Sequence, residues 1–100
     1  MFTMEDLEPY FNNAKMKIND IEFILTKVEE LSGILAVWAS ESYKVYASPY
    51  FEGISVPVHV VDSNNQEIGI DTSHIEIDNF ERYCKVVQTL ASKVIRRQRM

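Results

Sequence analysis

The fold of this chain is decided by residues 34–48, which read ILAVWASESYKVYAS. The run from Ile34 to Ala39 is continuously apolar, which is typical of a strand covered on both faces. A short polar turn, Ser40 to Ser42, separates it from a second run in which apolar and polar residues alternate. Two strand-like runs joined by a short polar turn predict an antiparallel hairpin.

Further strands are predicted on the C-terminal side of this hairpin. Alternation and polar turn residues place them at 55–61, at 66–70 and, as a short fifth strand or an extended connection, at 75–77. The first of these strands has three valines on one face, at positions 56, 58 and 60. Pro57 cannot donate to a strand ladder, so it predicts that this strand lies at a sheet edge or is bulged there.

Helical segments are predicted before the sheet. Thr3 followed by Asp6 has the spacing of a capping box, and Pro9 then ends the first turn and begins a second short helix. Asn19 followed by Glu22 repeats this start signal and predicts a helix over residues 20–32. Its apolar stripe would consist of Ile21, Ile24, Leu25, Val28 and Leu31, with Gly33 as the C-cap.

A long helix is predicted to close the chain. Asp78 would cap it, with Glu81 three residues further on. Its apolar face would contain Phe80, Tyr83, Cys84, Val87, Leu90, Ala91 and Val94. The fold class that follows is α+β with two layers. An antiparallel sheet of four to five strands has the N-terminal helical segment and the long C-terminal helix packed mainly on one face.

The length of 100 residues predicts a single domain over residues 1–100. Its parts would be a helical segment over 3–32, a sheet over 34–77 and a C-terminal helix over 79–97. The N-terminus lacks the basic and apolar regions of a signal peptide, and no apolar run is long enough to span a bilayer. A cytoplasmic protein is therefore expected. Cys84 has no second cysteine with which to form an intramolecular disulfide.

The formal net charge of −5 conceals an asymmetry along the chain. Residues 1–77 contain thirteen acidic and four basic side chains, a balance of −9, whereas residues 78–100 contain two acidic and six basic ones, a balance of +4. Cations at a helix C-terminus complement its macrodipole and help solubility. Alternatively, Arg96, Arg97 and Arg99 belong to a basic end that meets an acidic partner surface or a second copy of the chain. The acidic remainder disfavours nucleic acid as a partner.

Residues with catalytic or ligand-binding chemistry form no recognisable motif in this sequence. Cys84 lies within an apolar helix face, where a buried structural role is common. His59 and His74 have no metal-ligand spacing, and nucleophile-elbow, zinc-protease and phosphate-loop motifs are absent from the sequence. We therefore expect no catalytic, cofactor-binding or metal-binding residues, no cofactor, and a protein that is not an enzyme.

Aromatic residues mark the most informative surface candidate. If Val45 and Ala47 point inward, then Tyr46 points outward, close in sequence to Tyr50 and Phe51. Exposed aromatics of this kind are enriched at protein interfaces. The predicted partner interface therefore comprises Tyr46, Tyr50, Phe51, Arg96, Arg97 and Arg99. The alternative is that the aromatics only cover the sheet edge or the back of the core.

From Gly33 onward the chain resembles a GAF-type sensory domain and, more loosely, PAS and roadblock domains. Residues 53–61, GISVPVHVV, and 66–70, QEIGI, are similar to the hairpin near the end of a GAF domain. Residues 31–38, LSGILAVW, and onward to 46–48, YAS, resemble the opening helix and hairpin of GAF and roadblock domains. The segment 78–97 resembles the closing helix of a GAF domain, which often packs against a second copy. A truncated sensory domain is what this resemblance implies. The segment 49–54 is too short for the helical excursion that roofs a GAF ligand pocket, so the resemblance favours association over ligand binding.

Three functional hypotheses follow from the sequence. The first is a small non-enzymatic regulatory or protein-interaction module that self-associates as a homodimer, the commonest symmetric assembly. The second is a GAF- or PAS-like sensor of a small ligand, which requires an apolar cavity with a few polar groups. The third is an acidic, phage-type inhibitor of a nucleic-acid-binding enzyme, motivated by the −9 balance of residues 1–77. No membrane partner is expected.

Overall fold

A computed structural model describes residues 1–50 and 54–98 of the chain. Two helices, a 3-10 turn and six strands follow one another along it. In chain order they are α1 (Met4–Leu7), the 3-10 turn (Glu8–Tyr10), β1 (Lys15–Ile18), β2 (Ile21–Glu30), β3 (Gly33–Ala39), β4 (Tyr43–Tyr46), β5 (Val56–Asp62), β6 (Glu67–Ser73) and α2 (Phe80–Gln98).

The six strands form one antiparallel sheet in which each strand pairs with its neighbours in sequence, so the order is β1-β2-β3-β4-β5-β6. Helix α2 packs against β5 and β6 and also reaches β1, at the opposite end of the sheet. The sheet therefore curls, and α2 fills its inner side. The predicted α+β class with an antiparallel sheet is confirmed, but six strands form where four to five were expected.

The additional strands come from the segment predicted to be a helix, and that prediction is wrong. Residues 21–30 form β2, the longest strand, which pairs with β1 on one side and β3 on the other. Phe23 and Leu25 point into the core and are fully buried, whereas Ile24 and Val28 occupy the opposite, outer face. Apolar residues that seemed to form one helical stripe lie on both sides of a strand, buried on its inner face and half-buried on its outer face.

The turns around β2 explain why the helix signals misled. Asn19 and Asp20, the predicted cap and first helical residue, both have positive φ angles, 51° and 66°. They form the two-residue turn of a hairpin in which Ile18 pairs with Ile21. Leu31 lies in the next hairpin turn and is fully exposed, and Gly33, with φ of 130°, begins β3 and caps no helix.

Both remaining helix starts agree with their sequence signals, with one change of residue. The backbone N–H of Thr3 donates to Asp6 Oδ2 at 2.8 Å, which confirms the capping box of α1, and Pro9 lies in the 3-10 turn that follows. Helix α2 is capped by Asn79, whose Oδ1 accepts the N–H of Arg82 at 2.9 Å. The predicted cap, Asp78, lies one residue before it.

Pro57 lies in an interior strand, where neither an edge nor a bulge accounts for it. Strand β5 is flanked by β4 and β6, and its register shift falls between Val60 and Val61. However, the pairing between β4 and β5 ends with Tyr46 and His59, so Pro57, two residues earlier in β5, has no partner on β4. The β4 ladder has ended at this point, so the missing N–H of Pro57 costs no sheet hydrogen bond. Residues 75–77 form an extended connection, not a fifth strand.

A polar bridge inside the core attaches α2 to the middle of the sheet. Trp38 Nε1 donates to the hydroxyl of Tyr83 at 3.1 Å, and that hydroxyl donates to the carbonyl of Ala47 at 2.6 Å. All three residues are fully buried. Phe2 stacks on the Tyr83 ring with centroids 5.3 Å apart, so the N-terminus joins the same cluster. The inner side of the sheet is thus occupied by α2 and the N-terminal residues.

Candidate interaction surfaces

The outer face of the sheet carries the first candidate surface. Val45 and Ala47 are fully buried beneath α2, so Tyr46, between them in sequence, lies on the outer face, as predicted. Across the strands, Tyr46 is paired with Val37 of β3 and with His59 of β5. The rings of Tyr46 and His59 contact each other with centroids 6.0 Å apart.

A groove of about 300 Å³ runs over this part of the face. Its walls include two exposed side chains, Tyr50 and Ile70, which are 48% and 56% accessible. Among residues 1–50 and 54–98, no acidic, lysine or arginine side chain lines it; the lining residues are Leu35, Tyr46, Ser48, Tyr50, Pro57, His59 and Ile70. We call these seven residues the outer groove. Large apolar side chains exposed around a cavity are typical of a surface that meets another molecule.

One end of the outer groove opens into a second, charged depression of about 520 Å³. Lys44 and Glu30 lie there, beside Leu35, Tyr46 and His59, which both depressions share. His59 Nε2 is buried and lies 3.0 Å from Glu67 Oε1 but forms no aligned hydrogen bond with it. Side chains of both signs therefore border the apolar groove at this end.

The structure brings together only some of the residues predicted to form an interface. Tyr46 and Tyr50 line the same groove. Arg97 lies on the other side of Ile70, in a small depression at the β6 edge. Arg96 turns away toward β1, because its guanidinium donates to Ser92 Oγ, which in turn donates to Asn19. Arg96 and Arg97 therefore face different sides of α2 and do not form one cluster. Phe51 and Arg99 lie outside the described residues.

Sequence reasoning missed two residues of the outer groove that only pairing across strands could reveal. Leu35 belongs to a continuously apolar run, which does not show which of its residues face outward. Ile70 was assigned to the same face as Ile68. Ile70 pairs with His59 and lies on the outer face, whereas the register shift falls at Ile68, which packs against the core. The signal for this surface is an isoleucine that is exposed in the middle of a strand, and its exposure is visible only in the structure.

Cys84 and Tyr83, the two side chains with raised pKa values, line neither the outer groove nor the charged depression. Burial raises the pKa of the Cys84 thiol to about 11 and also raises the pKa of Tyr83. Both groups are therefore protonated at neutral pH, the opposite of the shift that activates a nucleophile. Within residues 1–50 and 54–98, no group of three or more His, Cys, Asp or Glu side chains is placed to hold a metal ion.

The raised pKa of Cys84 predicts slow alkylation. At pH 8 we expect iodoacetamide to modify Cys84 roughly 100-fold more slowly than a free thiol, because two pKa units lower the thiolate fraction by that factor. The rate should rise as the pH approaches 11 and should become ordinary in guanidinium chloride. Mass spectrometry of quenched samples measures it. A rate equal to that of glutathione at pH 8 would show that the thiol is not held protonated.

Comparison of the chain with protein-family models, with curated proteins and with solved structures found no match. The resemblance to GAF-type domains therefore stays a prediction from the sequence, as do the sensor and inhibitor hypotheses. Across the described residues, no helix has the length and apolar character needed to cross a membrane. What can be argued about function rests on the surfaces themselves.

Proposed function

We propose that this chain is a small, non-enzymatic protein-interaction module that pairs with a second copy of itself through the outer face of its sheet. One observation carries the proposal: exposed Tyr50 and Ile70 flank an apolar groove, although the chain is acidic overall. Keeping these side chains in water costs roughly 25 cal/mol for each Å² of apolar surface. A partner that covers them removes this cost.

The shape of the groove supports a second copy as its occupant. Tyr50 projects beside a cavity of about 300 Å³, so the face presents both a protruding aromatic and a space to receive one. A two-fold dimer needs such a self-complementary surface, because each copy supplies the same patch. Tyrosine is also among the residues most enriched at the energetic centre of interfaces.

The charges at the groove's end support the same occupant. Lys44 and Glu30 border the depression next to the outer groove, and Glu67 lies beside His59. A second copy presents the same mixture of signs, so each charged group has an opposite charge available across the interface. A strongly basic partner would be repelled by Lys44, and a strongly acidic partner would be repelled by Glu30.

Removing the two flanking side chains is expected to abolish pairing. The wild-type chain should sediment as a dimer at micromolar concentration. The double variant Tyr50→Ser, Ile70→Ser should sediment as a monomer, because each truncation of a central apolar side chain costs about 1–2 kcal/mol of binding. Thermal unfolding of the monomer should change little, since both side chains are exposed. Analytical ultracentrifugation and circular dichroism measure the two properties.

The matched control is Leu31→Ser, Ile75→Ser, which removes two exposed apolar side chains that lie away from the outer groove. This variant should remain a dimer. A wild-type chain that is monomeric up to about 100 μM, a concentration at which even weak specific pairing is populated, would refute the proposal. So would equal dissociation of the two double variants, since general loss of apolar surface would then explain the result.

A further inference from the structure

A second surface, distinct from the outer groove, lies between the edge strand β6 and helix α2. It is a groove of about 400 Å³ that runs along the helix. Half-buried Val86 and Leu90 lie on its helix side and exposed Ile75 on its strand side. Its rim carries Arg82, Lys85 and Lys93, together with His74 from the connection after β6. We call it the basic groove.

None of the described residues that line the basic groove is Asp or Glu. Among the ion pairs of residues 1–50 and 54–98, none involves Arg82, Lys85, Lys93 or Arg97. Glu81 is the one acidic residue of α2 and lies in a neighbouring depression beside Arg82 and Lys85. Asp71, on the strand side, accepts the N–H of Thr72 at 2.9 Å. In a chain of net charge −5, this local excess of positive charge favours an anionic ligand.

The strand beside this groove has a free edge. Strand β6 is the last strand of the sheet. The N–H of Thr72 is satisfied by Asp71, and the carbonyl of Ile68 accepts a long 3.5 Å bond from Gln98. Thr72 lies opposite Pro57, which has no N–H. This is therefore a pair without hydrogen bonds between β5 and β6, and the backbone N–H and C=O of Thr72 point away from β5. Alternation then directs the backbone N–H and C=O of Ile70 toward the free edge, where another strand can pair with them.

Distances along the helix match those of an extended chain. Lys85, Lys93 and Arg97 lie eight and four residues apart on α2, which corresponds to about 12 Å and 6 Å. Side chains on one face of an extended peptide repeat every two residues, about 6.7 Å. Carboxylates at every second position can therefore reach successive cations, while the intervening residues face the opposite side and pair through their backbones.

From this geometry we infer that the basic groove binds an extended acidic peptide segment of a partner protein, which adds to β6 as a seventh strand. Its acidic side chains contact Lys85 and Lys93 in the groove and Arg97 in the adjoining depression beside Ile70, and the methylene groups of these side chains cover Val86 and Leu90. Nucleic acid is the less suitable polyanion, because the −9 balance of residues 1–77 repels a long phosphate backbone and the apolar floor offers nothing to phosphate. The peptide uses the backbone of Ile70 at the free edge, whereas self-pairing uses the Ile70 side chain on the outer face, so the two contacts do not depend on each other.

The test uses a fluorescein-labelled eight-residue peptide that alternates Glu and Val, with the full chain as receptor. Fluorescence anisotropy at about 20 mM salt, where exposed charges are weakly screened, gives the dissociation constant. Lys85→Glu, Lys93→Glu should weaken binding by about tenfold or more, because two attractions become repulsions. The matched control, Lys17→Glu, Arg96→Glu, makes the same change in net charge on the β1 side of α2 and should change binding less than threefold, roughly the change expected away from the contact.

Amide hydrogen exchange identifies the mode of binding. Addition of the peptide should slow exchange at Ile70, whose N–H faces the free edge, and leave β1 unchanged. Equal weakening by both double variants, or a β6 edge whose exchange is unaffected, would overturn the inference. So would failure of the peptide to bind, tighter binding of a single-stranded DNA octamer, or dissociation of the dimer by Lys85→Glu, Lys93→Glu.

Discussion

Tyr83→Phe is expected to lower the free energy of unfolding by about 2–4 kcal/mol. Only the hydroxyl is lost, and the ring that stacks on Phe2 is retained. Yet this hydroxyl both accepts from Trp38 Nε1 and donates to the carbonyl of Ala47. Without it, two buried polar groups have no partner, and each unsatisfied group costs about 1–3 kcal/mol. The melting temperature should fall by roughly 10–20 °C for a chain of this size.

Urea titration followed by tryptophan fluorescence measures this loss, since Trp38 is the one tryptophan and adjoins the altered site. Tyr50→Phe is the matched control, because it removes the hydroxyl of a half-exposed tyrosine. It should change the free energy of unfolding by less than about 0.5 kcal/mol. Equal stability of the two variants would mean that the Trp38–Tyr83–Ala47 bridge does not attach α2 to the sheet.

Gly69→Ala is expected to destabilise the fold by about 1–3 kcal/mol, although alanine suits a strand at least as well as glycine. A Cβ atom at position 69 would lie 2.9 Å from Cγ1 of Val94 on α2. Val94 is almost fully buried, and a β-branched side chain in a helix has one strongly preferred rotamer, so it cannot turn away. The sheet and helix must then separate locally.

A double-mutant cycle tests this explanation. Val94→Ala removes the clashing methyl groups and itself costs about 2 kcal/mol through the cavity that it leaves. In that background, Gly69→Ala should cost close to nothing, which gives a coupling free energy of about 1–3 kcal/mol between the two positions. Urea denaturation of the four chains provides the data. Additive effects would show that the close approach of β6 and α2 does not account for the glycine.

The sheet between Gly33 and Asp62 was predictable because each of its strands contains a local signal. Val56, Val58 and Val60 alternate with more polar residues, and all three are buried on the inner face. The hairpin of β3 and β4 has a polar turn between two apolar runs. Such patterns depend only on the alternation of residues along one strand, so they can be recognised without knowing which strands are its neighbours.

Strand β2 was not predictable from the same signals. Ile24, Leu25 and Val28 satisfy helical spacing, and a capping-box pattern precedes them. The deciding contacts are the pairing of β3 with residues 24–30 and the pairing of β1 with residues 21–24, both of them between strands. Leu25 then faces the core while Ile24 and Val28 face outward. Pairing with neighbouring strands and burial of one face thus override the local helical preference of the segment.

The α+β class, the central hairpin, the closing helix and the separation of an acidic body from a basic end can all be derived from the sequence. These properties follow from composition and from apolar spacing over short stretches. The two candidate surfaces, in contrast, arise from the packing of distant segments. Ile70 joins Tyr46 and Tyr50 because strands β4, β5 and β6 lie side by side, and the cations of α2 line a groove because the helix packs against the free edge of β6. A surface of this kind depends on contacts between residues far apart in the chain, which spacing along the sequence does not record.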